Sequence, residues 1–219
     1  MARPTKSTKK KEFDVTSLKD KLGLSKSVKE KELSWIPFNQ AFHDALGIPG
    51  LARGYVTLFR GFSDTGKSTC IYESIAGAQK IGDLPIIIDT EGNFNWEHAK
   101  NIGMVYEEIA DEETGEIINY EGDFMFLSGD DLLEMYKNYD YSDGKEKSKA
   151  LRGEPVIEDV AHFISDLLDL QDAGDLNKNL CFLWDSIGSV NSFKSVMSKA
   201  NNNMWNAGAL ETAFKSLLN

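Results

Sequence analysis

Apolar positions along this chain fall into two kinds of run. Three stretches are nearly continuous: Tyr55-Val56-Thr57-Leu58-Phe59, Pro85-Ile86-Ile87-Ile88-Asp89 and Asn179-Leu180-Cys181-Phe182-Leu183-Trp184-Asp185. Short runs of this kind predict strands buried on both faces, as in a parallel sheet covered by helices. Phe124-Met125-Phe126-Leu127 predicts a further core strand. Elsewhere the apolar residues recur at helical spacing. Ile157, Val160, Ala161, Ile164, Leu167 and Leu168 share one face of a helix over about 157–171. Another helix is predicted over about 67–80, between the first two strands. Strands alternating with helices place the chain in the α/β class, with a mostly parallel sheet flanked by helices.

Polar segments set the boundaries. Residues 1–12 carry Lys6, Lys9, Lys10 and Lys11 and predict a basic tail, with a charged helical stretch from Val15 to Lys31. Residues 1–33 are therefore expected to form a basic tail and short helical segment, and 34–219 the α/β core. Apolar residues return at Leu33, Trp35, Ile36, Phe38 and Phe42, and Pro49-Gly50 and Gly54 mark a turn. Between Tyr106 and Gly122, seven acidic residues surround Thr114-Gly115 and predict an acidic β-hairpin insertion. Asp140 to Glu154 predicts an exposed loop, and the chain after Ser192 is polar, then weakly helical from about Ala207 to Leu218.

The length of 219 residues suits one α/β domain with extra segments. A net charge of −11 argues against a bulk-charge nucleic-acid binder but leaves room for a local basic stripe. Two distant cysteines, Cys70 and Cys181, exclude a disulfide scaffold and favour a reducing cytoplasm. The basic N-terminus lacks the apolar stretch of a signal peptide, and no run is long enough to span a membrane, so no membrane partner is expected.

One motif changes the picture. Gly61-Phe62-Ser63-Asp64-Thr65-Gly66-Lys67-Ser68 fits G-x-x-x-x-G-K-[ST] at every fixed position. Its four fixed choices match by chance at roughly one position in a few tens of thousands. The glycines let the loop curl with its N–H groups inward. The helix that follows, beginning with Lys67, Ser68 and Thr69, offers free N–H groups and a positive dipole end to phosphates. Lys67 supplies a charge for the outer phosphates, and the Ser68 hydroxyl can ligate Mg2+. ATP with Mg2+ is the expected cofactor pair. Asp185, closing an apolar strand, is the second candidate metal ligand. Glu91, two residues past the strand ending at Asp89, is the candidate that orients or deprotonates water, with Asp89 as its rival. Asp89 is instead expected to engage loop hydrogen bonds. His43, His98 and His162 form no ligand cluster, and His98, Phe94 and Trp96 are candidates to lie beside an adenine.

Together these elements resemble the RecA-like recombinases, most closely the UvsX-type recombinases of phages. The resemblance covers about Ile36 to Asn219. It begins with a lead-in, Phe38 to Leu51, and passes through the P-loop and Asp89-Thr90-Glu91-Gly92 to Leu183-Trp184-Asp185-Ser186-Ile187-Gly188. It implies that Glu91 activates water, that Asp185 is the Walker B carboxylate, and that His98 takes the place of an adenine-stacking aromatic. It also places a first DNA-binding loop at about Val190 to Asn206, with Lys194, Lys199, Asn201, Asn202, Asn203 and Trp205. Such a loop is expected to be mobile without DNA. A full recombinase would continue into a sensor strand and a second DNA loop, so the chain is expected to be C-terminally incomplete. The implied function is an ATP-dependent, single-stranded-DNA-binding recombinase in recombination, repair and replication, a filament-forming homo-oligomer served by mediator proteins. A replicative helicase built on the same core, or a P-loop ATPase regulator that does not bind DNA, would share the nucleotide motifs.

Overall fold

The computed structural model describes residues 14–23, 32–139, 141, 152–198 and 203–217. It falls into two compact units, 1–33 and 34–219. In the first, helix α1 (Val15–Lys21) is capped by Asp14, whose carboxylate accepts from the Thr16 N–H at 2.9 Å. The predicted helix ran to Lys31, but residues 24–31 lie outside the described set.

The second unit begins with a lead-in. Strands β1 (Trp35–Pro37) and β2 (Gly50–Ala52) pair antiparallel on either side of helix α2 (Gln40–Leu46). Asn39 caps α2, and its main-chain N–H donates at 3.0 Å to the buried Glu73 of helix α3 (Lys67–Lys80). The lead-in is thereby tied to the helix that follows the glycine-rich loop.

Three parallel strands follow, β3 (Leu84–Asp89), β6 (Met125–Ser128) and β7 (Leu180–Asp185), in the order β6-β3-β7. All six residues of β3 are buried, and its side chains alternate between two cores as a pleated strand requires. Ile87 packs with Ile71, Ile75 and Ala78 of α3. Ile86 and Ile88 pack on the other face with Leu132 of helix α5 (Gly129–Tyr136) and Val160, Phe163 and Leu167 of helix α6 (Ile157–Ala173). Helices cover both faces of the sheet, as the continuous apolar runs predict. The register sets Asp89 opposite Asp185 on one side and Ser128 on the other, so all three polar side chains close their strands together at one end.

The acidic hairpin is present as β4 (Glu107–Ala110) and β5 (Ile117–Glu121), paired antiparallel. The Asp111 carboxylate organises its turn by accepting from the Glu113 and Thr114 N–H groups. Trp96 of helix α4 (Trp96–Ile102) stacks on Tyr120 with centroids 3.9 Å apart, and Lys100 pairs with Glu108 at 3.2 Å. The hairpin is docked rather than loosely attached.

Two expectations are corrected. Tyr55–Phe59 joins no described ladder, and Tyr55, Val56 and Leu58 are each more than half exposed. Apolar, β-branched composition favours a strand only where a partner edge receives it. Of the predicted exposed loop, residues 140 and 142–151 lie outside the described set; Gly153 and Glu154 are exposed as expected, but Tyr141 and Arg152 are not. Arg152 is buried and grips Asp159 with two bonds at 2.7 and 2.8 Å, and the Tyr141 hydroxyl donates to the same carboxylate at 2.9 Å.

Candidate nucleotide-binding site

The glycine-rich loop is shaped by two backbone requirements. Gly66 sits at φ +87° as the N-cap of α3, a left-handed conformation that glycine adopts without strain. Gly61 is needed for space: a Cβ there would stand 2.5 Å from Thr65 Oγ1. Within the loop, the Thr65 hydroxyl and the Lys67 ammonium both donate to the Phe62 carbonyl, at 2.7 and 2.8 Å. Phe62, Ser63 and Asp64 are exposed on the loop's crest, with Phe62 at 90%. Gly66 brings no side chain to cap the first-turn N–H groups of α3. Those donors, the helix dipole and the Lys67 charge converge on one place, the arrangement that receives phosphate.

The sheet supplies the opposite wall. Asp185 ends β7, and its Oδ2 accepts from the Ser68 hydroxyl at 3.3 Å, a contact between residues 117 positions apart. Thr69 and Ser68 are half-buried in the first turn of α3. A hydroxyl and a carboxylate at this separation are the hard oxygen donors that suit Mg2+. Burial raises the Asp185 carboxyl above the ordinary carboxylate range and the Glu91 charge raises it further, while the Ser68 hydroxyl and Lys67 act the other way.

Glu91 and Asp89 have different fates. Asp89 is buried, and its two oxygens accept from the main-chain N–H groups of Glu91 (3.2 Å), Gly92 (2.9 Å) and Phe94 (3.0 Å). Its lone pairs organise the loop after β3, as its expected role requires. Glu91 is exposed on that loop, with Oε1 accepting from the Ser186 hydroxyl and Oε2 from Asn93 Nδ2 at 3.0 Å. His98 lies exposed on the first turn of α4, its ring edge-on to Tyr72 at 5.3 Å. Phe94 and Trp96 instead pack into the aromatic cluster beneath the hairpin.

The segment from 190 to 206 departs from expectation. Two helices occupy it, α7 (Phe193–Ser198) and the start of α8 (Asn203–Leu217), where an irregular stretch was expected. Several of its described polar residues satisfy one another. Asn206 accepts from the Ser192 N–H at 2.9 Å and the Ser195 hydroxyl at 3.0 Å, and donates to Asn191 at 3.0 Å. Glu158 of α6 accepts from the Phe193 N–H at 2.8 Å, and burial raises its carboxyl. The buried Phe193 adds an apolar anchor. Lys194 stands 4.6 Å above the ring of Trp205, a cation–π pair. Asn203 is exposed at the start of α8, while Lys199, Asn201 and Asn202 lie outside the described residues. The structure thus brings Lys67, Ser68, Glu91 and Asp185 together and holds Lys194 and Trp205 as a second group.

A raised carboxyl has a consequence for stability. Asp185 binds its proton more tightly in the folded protein, so its contribution favours folding while protonated and is lost as pH rises through the folded value. Ionised Asp185 works against the fold at neutral pH. Without divalent metal, Asp185→Asn should melt higher than wild type at pH 7, and the gap should close as pH falls below about 4, the usual carboxylate value. Calorimetric melts across that range check this; a gap independent of pH would refute it.

A glycine-rich loop entering a helix beside a parallel sheet, with a carboxylate on the adjoining strand, is a P-loop NTPase core. The chain belongs to a particular family of that class: the model of the RecA N-terminal domain matches residues 7–120, more than half of it. Among proteins named RecA, that of Clavibacter michiganensis is 34% identical over 87 residues, covering 39% of this chain and 24% of the relative. That of Aquifex aeolicus is 33% identical over 85 residues, covering 38% and 25%. That of Chlorobium chlorochromatii is 39% identical over 66 residues, covering 30% and 19%. The chain therefore spans about a fifth to a quarter of the length of these curated relatives.

Proposed function

We propose that this protein is an ATP-dependent recombinase that binds single-stranded DNA, of the UvsX type that its motifs resemble, and serves recombination, repair and replication. The carrying observation is the 3.3 Å contact between Ser68 and Asp185. It joins the helix that follows the phosphate loop to the strand end that bears the carboxylates. Gly61 through Thr69 form the phosphate cradle, with Lys67 countering the outer phosphates. Ser68 and Asp185 hold Mg2+, which supplies charge neutralisation to the phosphate oxygens when bound. Glu91 orients and deprotonates the attacking water. His98 borders the base.

DNA would meet the α7–α8 group. The Lys194 ammonium suits a phosphate and the Trp205 ring suits a stacked base, but each now engages the other. Binding would exchange that pair for contacts with the strand, and Lys199, Asn201, Asn202 and Asn203 are assigned to the same task. A cytoplasmic, filament-forming homo-oligomer served by mediator proteins follows from the same reading.

Trp205→Ala should weaken single-stranded DNA binding by about 1–3 kcal/mol. Lys194→Ala and Lys199→Ala should each flatten the dependence of log K on log salt by about 0.7. Fluorescence anisotropy at several salt concentrations measures both, and electron microscopy with DNA and ATP should show filaments. Rings on DNA would favour a helicase. Unchanged DNA affinity and salt slope in the triple variant would leave a P-loop ATPase of another kind.

A further inference from the structure

The strand ends bearing Asp89 and Asp185 are stitched together past the ladder by hydroxyl groups. The Thr90 N–H donates to the Asp185 carbonyl at 2.8 Å. The Thr90 hydroxyl lies 2.6 Å from that of Ser189 and 3.2 Å from the Ser186 carbonyl, and accepts from the Trp184 indole N–H at 3.0 Å. The Ser189 hydroxyl also donates to the Ser186 carbonyl at 2.7 Å. The Ser186 carbonyl is thus held by both Thr90 and Ser189, directly after the candidate metal ligand.

The Ser186 side chain spends its one proton on Glu91 Oε1. Glu91 is exposed, so packing does little to select among its rotamers. What fixes the carboxylate is hydrogen bonding, from Ser186 on one oxygen and Asn93 on the other. Asn93 is itself exposed on the same loop, whereas Ser186 is anchored to the sheet. A group that must meet a water within hydrogen-bond reach gains from such an anchor, since misplacement by about 1 Å can cost on the order of a hundredfold in rate.

We propose that Ser186 is a positioning residue for Glu91, holding the carboxylate in register with the Asp185 side of the site through its hydroxyl. This rests on the reading of Glu91 as the water-activating group. Thr90 and Ser189 support it by fixing the main chain from which the Ser186 hydroxyl extends.

The test compares Ser186→Ala, Ser186→Thr, Glu91→Gln and the Ser186→Ala/Glu91→Gln pair in the full protein. It measures steady-state ATP hydrolysis, single-turnover hydrolysis and the affinity for a fluorescent ATP analogue. Ser186→Ala should lower kcat by roughly 10- to 100-fold with KM and nucleotide affinity unchanged. Ser186→Thr, which keeps a hydroxyl, should recover most of the rate. The pair should be no slower than Glu91→Gln alone, because the hydroxyl acts through that carboxylate. Normal turnover in Ser186→Ala beside a slow Glu91→Gln overturns this inference alone. Normal turnover in Glu91→Gln overturns it together with the role given to Glu91. Loss of affinity along with rate, no recovery by threonine, or a further drop in the pair assigns Ser186 a merely structural part and also overturns it.

Discussion

Lys67→Ala should weaken ATP binding by at least about 10–100-fold, the scale of a lost charge-assisted hydrogen bond, and remove measurable hydrolysis. The ammonium is the cation that closes the loop, and it donates its hydrogen bond to the Phe62 carbonyl. A triphosphate would offer the same ammonium an anionic partner. The fold should hardly notice the change. Lys67 opens α3 at a half-buried position, and the cores on both faces of the sheet are made by other residues. Isothermal calorimetry with ATP and Mg2+ beside a thermal melt separates the two effects. Unchanged affinity and turnover would remove the phosphate-cradle assignment, while a large fall in melting temperature would show that Lys67 supports the loop instead.

Glu91→Gln should leave ATP and Mg2+ bound but slow hydrolysis by about 10²–10⁴-fold, the range for a lost general base. The amide keeps the shape of the side chain and an oxygen for the Ser186 hydroxyl, and loses the basicity together with the acceptor for Asn93 Nδ2 on the exposed side. Asp89→Asn makes an informative contrast. That carboxylate accepts three main-chain N–H groups, and an amide has one oxygen where three bonds need two. Its change should lower the melting temperature and disturb the loop that carries Glu91. Rapid-quench measurement of the chemical step, with melts as a control, tests the division. Normal hydrolysis in Glu91→Gln would move the catalytic role elsewhere, with Asp89 next to examine.

Much of this arrangement is legible in the residues. The isoleucine run of β3 and the apolar run of β7 predict buried parallel strands because both faces need covering, and helices cover them. The glycine spacing reports the phosphate loop because two of its positions favour glycine, one for its φ and one for its closeness to the Thr65 side chain. Asp89 is separable from Glu91 because an acid at the end of a buried strand finds loop N–H groups close by. Four things escape such reasoning. β1 and β2 are three residues each, too short to show a period. Tyr55–Phe59 has the composition of a strand, but composition does not say which edge would receive it. The helix α7 is only six residues long, too short to show a period, and its first turn is held by Asn206 and Glu158, polar partners that no local pattern announces. The Ser186–Glu91 contact is invisible for a related reason: the two residues are 95 positions apart and meet only because β3 and β7 are neighbours.

The most direct test of the account is the rate of ATP hydrolysis with and without single-stranded DNA, in Mg2+ and at moderate salt. The proposed nucleotide site at the ends of β3 and β7, joined by the short turn Ile187–Ser189 to the helices that carry Lys194 and Trp205, should answer to occupation of those helices. The expected result is hydrolysis strongly stimulated by DNA in the wild type, with little stimulation when Lys194 and Trp205 are both replaced by alanine. Hydrolysis at the same rate with and without DNA would contradict the account.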